Sequence, residues 1–261
     1  MPETHIRRLQ IAGAYNIRDL GGYATRTGDA TAWRAFVRAD SLHNVMHEGQ
    51  AELRRYGVNT VIDLRTPGGV AKYPNPLRSF PDVTYRHIAV VDDSKLPGGS
   101  GPAMPASLAE LYRMLLEEAQ PALGEIFATM AAAQPGTLLF HCTAGKDRTG
   151  LVAALLLELA GVERPVVLKD YCASAANLAP LYAEYRRAMA EQMSPDERAR
   201  FEQFLGSDSL TMASALSYLD RRYGGAATYL RRAGLDDAQL ARLTSRLSSR
   251  ATVTSEVTSE T

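Results

Sequence analysis

Cysteine is scarce in this chain: Cys142 and Cys172 are the only two in 261 residues. Two thiols cannot build a disulfide framework, so the fold has to rest on a packed core. Long apolar runs are missing as well. The longest candidate, residues 151–162, is interrupted by Glu158 and followed by Glu163 and Arg164. It falls short of the roughly 18 residues that a membrane span needs. Neither sign of charge is in surplus, with Lys plus Arg and Asp plus Glu at 29 each. A general nucleic-acid or polyanion binder carries a basic excess, so that class is disfavoured and no nucleic-acid partner is expected. Residues 1–9 are charged and lack the apolar stretch of a secretory leader. A cytoplasmic location is therefore expected, with leaderless export left open. No internal repeat is visible. What is there is ordinary for a globular protein, 46% hydrophobic and 22% charged, and long enough for a sizeable core.

The order of patterns indicates an α/β fold. Residues 1–40 are turn-rich and read as a hairpin or meander containing Phe36-Val37-Arg38. Residues 41–56 read as a helix that Gly57 ends. Three strands are expected at residues 58–64, 83–91 and 137–141. Residues 97–105, rich in Gly, Pro and Ser, read as a loop. Residues 106–133 read as helix with a break near Pro121, and 150–160 as a helix stopped by Gly161. Residues 166–170 extend or restart it. Residues 173–247 read as helices broken at Pro195, Gly206 and Gly224-Gly225, with Ser194 as an N-cap. Alternating strands and helices followed by helices imply a mostly parallel sheet flanked by helices. Residues 1–247 are expected to form one domain. Residues 248–261, mostly Ser, Thr, Glu and Val, are expected to be a disordered tail.

One segment carries the chemistry: His141-Cys142-Thr143-Ala144-Gly145-Lys146-Asp147-Arg148-Thr149-Gly150. It lies between an expected strand and an expected helix. A cysteine followed after five residues by an arginine is the pattern of the phosphate-binding loop of cysteine-dependent phosphatases. A short loop at a helix start can turn successive N–H groups inward and form an anion nest. The same field favours the thiolate of Cys142. Arg148 then lies where its planar fork can hold two phosphate oxygens. The Walker A reading fails, because Asp147 follows Lys146 where Ser or Thr is needed, and the upstream glycine is missing.

The string HCTAGKDRTG resembles that of the PtpB-type bacterial protein tyrosine phosphatases, relatives of the dual-specificity phosphatases. Three further stretches agree. Asn16-Ile17-Arg18-Asp19-Leu20-Gly21-Gly22 resembles the family's N-terminal motif. Val61-Ile62-Asp63-Leu64-Arg65 resembles its strand-end motif, and YGGAATYLRRAGL, residues 223–235, its C-terminal helical segment. The resemblance covers roughly residues 10–247. It implies the cysteine phosphatase fold and hydrolysis of phosphotyrosine through a phosphocysteine, extending to phosphoserine, phosphothreonine or phosphoinositides. It also implies a phosphorylated protein or phospholipid headgroup as substrate, and neither a cofactor nor a metal. Some relatives carry a long insertion that helps form a lid. Here the corresponding residues, 92–106, are few and rich in Gly and Pro, so a lid is expected only from residues 173–204.

Roles follow. Cys142 is the expected nucleophile and Arg148 the phosphate clamp, with residues Thr143, Ala144, Gly145, Lys146, Asp147 and Thr149 completing the phosphate site. Thr149 either gives its hydroxyl to the cysteine sulfur or caps the helix. His141 either orders the loop through hydrogen bonds without touching substrate or is a satisfied core histidine, the simpler description. Asn16, Arg18 and Asp19 either brace the loop or stabilise a local turn. Lys146 either meets a second phosphate, as the resemblance implies, or forms a rim salt bridge with Asp147. The general acid is expected to be Asp63, at a strand end where α/β sites form and where the resemblance also points. A structural carboxylate paired with Arg65 or Arg18 is the competing description. Asp92 and Asp93 stand next, then Asp147. Cys172 either protects an oxidised Cys142 or is an inert thiol. Two other classes compete: a binding module that captures phosphorylated partners without turnover, and a thiol redox enzyme. The first does not need Cys142, Arg148 and Thr149 together; the second needs a relay of cysteines that Cys172 alone does not supply.

Overall fold

A computed structural model describes residues 5–93, 105–189 and 192–248. The expected loop at 97–105 and the expected tail lie almost wholly outside these residues. Ser248, the first residue of that tail, pairs with Thr31 in an isolated bridge.

The sheet has five strands: β1 (Arg18–Asp19), β2 (Phe36–Ala39), β3 (Val58–Asp63), β4 (Thr84–His87) and β5 (Thr137–His141). Their order is β1-β2-β5-β3-β4. Only the β1–β2 pairing is antiparallel; β2–β5, β3–β5 and β3–β4 are parallel. The mostly parallel sheet flanked by helices is thus as the sequence implies. Alternation along the strands sends side chains to two cores. Phe36, Ile62, Leu138 and Phe140 join the larger core. Val37, Val61 and Leu139 join the smaller one with Leu42, Leu53 and Leu77.

The helices are α1 (His47–Tyr56), α2 (Pro67–Lys72), α3 (Leu108–Glu118), α4 (Gln120–Ala132), α5 (Asp147–Leu159), α6 (Arg164–Met189), α7 (Pro195–Gln203), α8 (Ser209–Tyr223), α9 (Ala226–Arg232) and α10 (Asp237–Leu247). Gly57 ends α1 with φ 107°, as its position suggests. Ser194 begins α7 with a complete capping box. α5 is buried through residues 149–157 and occupies the centre of the large core. Among the described residues no helix is long and apolar enough to cross a membrane.

Three expectations change. Residues 41–46 are not helical; they run beside the loop that follows β5, where Ser41 N–H donates to the Thr143 carbonyl at 2.9 Å. β4 is shorter than the apolar run 83–91 suggested, because it is a largely exposed edge strand. Residues 166–170 do restart a helix after α5, but a far longer one than five residues: they belong to the 26-residue α6, which begins at Arg164 and carries Pro180 within it.

Candidate active site

Register sets the floor of the site. Ala39, His141, Asp63 and His87 form one row across the carboxyl ends of the parallel strands. Cys142 is the next residue after that row and is 2% exposed. α5 begins at Asp147, so residues 142–146 must turn within five positions. Gly145 makes the turn possible with φ +64°, and a Cβ there would come within 2.4 Å of the Ala39 carbonyl oxygen.

The loop is held from beneath through its carbonyls. Asn16 Nδ2 donates to Ala144 O at 3.0 Å and to Gly145 O at 3.2 Å. Arg38 donates to Gly145 O at 2.7 Å, and Ser41 N–H holds Thr143 O. With three successive carbonyls engaged from below, the loop amides are the groups left for an anion, reinforced by the start of α5.

These braces are themselves anchored. Asp170, on α6, accepts from Arg18 Nε at 2.9 Å, Arg38 at 2.6 Å and the Tyr23 hydroxyl at 3.0 Å. Burial alone would raise its pKa, but Arg18 and Arg38 hold the carboxyl well below the usual carboxylate range. Asp40 accepts the backbone N–H groups of Tyr15 and Asn16, both at 2.9 Å. Asn16 and Arg18 therefore brace the loop, Arg18 through the Asn16 side-chain oxygen and Asp170. Asp19 does not: it holds Gly21 N–H, Arg34 N–H and the Tyr56 hydroxyl around its own turn.

His141 is fully buried, with Nε2 at 2.9 Å from Asn75 Nδ2 and Nδ1 at 3.1 Å from the Cys142 carbonyl. Both ring nitrogens are thus engaged, one of them at the carbonyl of Cys142, the first residue of the loop. Asp63 fails as a general acid. It is fully buried and accepts from Arg65 Nε, the other Arg65 nitrogen at 2.6 Å and the Tyr85 hydroxyl at 2.9 Å. His141 lies 3.4 Å from the same carboxylate. Burial pushes its pKa up, yet His141 and Arg65 together hold it far below the ordinary range. A carboxyl so held is ionised, has no proton to give, and faces the core.

Lys146 also departs from expectation. It is 1% exposed, and its Nζ donates to the carbonyls of Phe204 at 2.5 Å and Gly206 at 2.7 Å. It also pairs with Asp147 Oδ1 at 3.5 Å, so the expected salt bridge forms, but buried rather than on the rim; the two carbonyl bonds tie the loop to the segment after α7 and leave the ammonium engaged. Above the loop, Tyr182 and Leu178 of α6 and Leu205 form a small cluster that Ala144, Tyr15, Tyr185 and Phe201 complete. Described residues of the segment 173–204 thus pack against the loop through Ala144.

Among the described residues Arg148 makes only two bonds, both long, to Thr143 Oγ1 at 3.2 Å and Leu64 O at 3.4 Å. The Thr149 hydroxyl is buried and has no hydrogen-bond partner among the described residues; as the third residue of α5 it is not the helix cap. Asp147 keeps 26% of its side-chain surface. Asp93 caps α2 by accepting Gly68 N–H at 2.8 Å. Asp92 lines a cleft with Pro67, Val90, Met114 and Glu118. Cys172 is a half-buried free thiol whose pKa burial raises. Among the described residues no group of three or more His, Cys, Asp or Glu is arranged to hold a metal.

Sequence reasoning passed over Arg38, Asp40 and Asp170. An arginine inside the apolar stretch 36–39 and an aspartate inside an otherwise core-facing helix are signals of buried charge. Arg38 and Asp170 find their partners more than a hundred residues away, and Asp40 finds its own in the backbone of Tyr15 and Asn16, so the pattern could not pair them.

The sequence pattern described as the tyrosine phosphatase family matches residues 9–249. A tyrosine-protein phosphatase of Nostoc commune is 34% identical over 217 residues, covering 82% of this chain and 74% of that one. The triple specificity protein phosphatase PtpB of Mycobacterium tuberculosis is 30% identical over 274 residues, covering 90% of this chain and 96% of its own. The crystal structure of P. aeruginosa TpbA, 18% identical, covers 75% of this chain and 97% of that one with a TM-score of 0.30, a likeness too loose to argue from.

Proposed function

The chain belongs to the tyrosine phosphatase family, of the PtpB type, and from that premise we propose that it hydrolyses phosphotyrosine in proteins through a phosphocysteine. The observation that carries this reading is Cys142, set at the end of β5 beneath the first turn of α5, in a loop whose three carbonyls are all engaged from below. In this reading the Cys142 thiolate attacks phosphorus in line with the leaving oxygen. The loop amides and Arg148 hold the equatorial oxygens, and Arg148 is tied only loosely beforehand.

The acid role moves to Asp147. It stands in the same loop and keeps solvent access, whereas Asp63 is ionised and enclosed and Asp93 is occupied as a helix cap. Its carboxyl proton passes to the leaving phenolic oxygen as the P–O bond breaks. In the second half the carboxylate takes a proton from water as that water's oxygen bonds to phosphorus and the S–P bond breaks. The unpartnered Thr149 hydroxyl then donates to the departing sulfur. Phosphoserine and phosphothreonine fit the same chemistry. The phosphoinositide reading drew on Lys146, whose ammonium is committed to two carbonyls, so phosphorylated protein is the substrate class favoured here.

The test is Cys142→Ser. It is expected to abolish release of p-nitrophenol from p-nitrophenyl phosphate, with EDTA present, while phosphotyrosine peptide still binds. Substantial turnover by that variant would overturn the mechanism.

A further inference from the structure

Resting on Asp147 as the acid, the surroundings of its carboxyl divide its two oxygens. Tyr112, on α3, donates its hydroxyl to Asp147 Oδ1 at 2.8 Å. Lys146 Nζ lies 3.5 Å from the same oxygen. Asp147 Oδ2 has no hydrogen-bond partner among the described residues. Tyr112 is fully buried, and its hydroxyl is also 2.8 Å from that of Tyr171 on α6, with the two rings edge to face at 6.0 Å.

A tyrosine hydroxyl has one proton to give. Since Tyr112 gives its proton to Asp147, Tyr171 must donate to Tyr112, and the chain of bonds runs Tyr171 to Tyr112 to Asp147. Burial and the Asp147 charge push the Tyr112 hydroxyl well above its ordinary value, so it stays a donor. Reversing the chain would strand a buried Tyr171 proton, which costs more than leaving it in place. We propose that Tyr112 is the positioning residue of the general acid: it reserves Oδ1 as an acceptor, so that the transferable proton is carried on Oδ2, toward the substrate. The other charged or titratable groups near this carboxyl are Lys146, Cys142 and Arg148 of the loop, and Tyr171 and Tyr182 of α6, whose hydroxyls respond to the Asp147 charge. Among the described residues, only Tyr112 donates to the carboxyl at normal hydrogen-bond distance.

The experiment compares Tyr112→Phe, Tyr171→Phe and Asp147→Asn by kcat/KM against pH, on a phosphotyrosine peptide and on p-nitrophenyl phosphate. A hydrogen bond donated to a carboxylate favours the charged form. Tyr112→Phe removes it, so the basic limb moves to higher pH by about one unit. The peptide rate near neutrality falls about tenfold while the p-nitrophenyl rate changes little, because proton delivery matters most to the poorer leaving group. Tyr171→Phe moves the limb the same way by less, and serves if Tyr112→Phe does not fold. Equal losses on both substrates with unmoved limbs in both tyrosine variants would overturn the proposal. Asp147→Asn separates the two readings. If it keeps the basic limb, Asp147 is not the acid and the premise fails. If it loses that limb while the tyrosine variants leave theirs in place, this inference fails alone.

Discussion

The catalytic loop has an underside and an upper side, and they are built on different principles. Beneath it lies a lattice of buried charge: Asn16, Arg18, Arg38 and Asp170, none more than 3% exposed. Above it the cover formed by α6 and α7 rests on a few apolar side chains and on surface ion pairs such as Arg186–Glu202, in which both partners are about half exposed. Buried charge is costly to disturb, because removing one partner strands the other. Exposed pairs contribute little and yield readily. The contrast assigns rigidity to the side that aims the phosphate and compliance to the side that admits the phosphorylated residue.

The sharpest way to break this contrast is Asp170→Asn, which leaves Arg18 and Arg38 short of a counter-charge. A loss of about 3–5 kcal/mol in urea unfolding is expected. A loss no larger than that of a surface substitution would mean that the lattice is not what holds the loop. Asn16→Ala comes next. It frees the Ala144 and Gly145 carbonyls without removing a charge, so kcat should fall by about tenfold or more through misplacement of the loop, with a smaller change in melting temperature. A fall in stability with kcat intact would place Asn16 in a local turn only.

Acid unfolding sharpens the same comparison. The carboxyls of Asp63 and Asp170 are held below their unfolded values, so the stability they contribute is fully present above about pH 4 and is lost progressively below it, as pH falls toward their much lower folded values. Burial raises Asp19 and Asp40, which act with the opposite sign and above that pH. Asp170→Asn should therefore flatten the loss below about pH 4 and leave the profile above it alone. An unchanged acid slope would show that Asp170 is not ionised in the fold. The smallest effect belongs to the cover. Arg186→Ala should leave the melting temperature where it is, and a clear drop would show that the cover is no less rigid than the floor.

Much of the site was legible because its signals are local. The strand at 137–141, the loop and the helix after it are contiguous, and a loop chemistry with fixed spacing needs no distant partner to be recognised. Asp63 was misread for the complementary reason. A strand-end carboxylate looks available until Arg65, Tyr85 and His141 are seen around it, and Tyr85 is on a neighbouring strand. Lys146 reads as an exposed charge in sequence, since the carbonyls that capture it belong to residues 204 and 206. Charge pairs across more than a hundred residues leave no periodic trace.

The interior has a consequence for how substrate arrives. Among the described residues, Arg18, Arg38, Arg65 and Lys146 are buried, and so are Asp19, Asp40, Asp63 and Asp170. Four formal cations stand against four formal anions within the fold, and the whole chain is also formally neutral. Viewed from solution the molecule therefore presents little long-range field to a phosphate dianion. Attraction starts only at contact, with the loop amides and Arg148, and encounter rates should depend weakly on ionic strength.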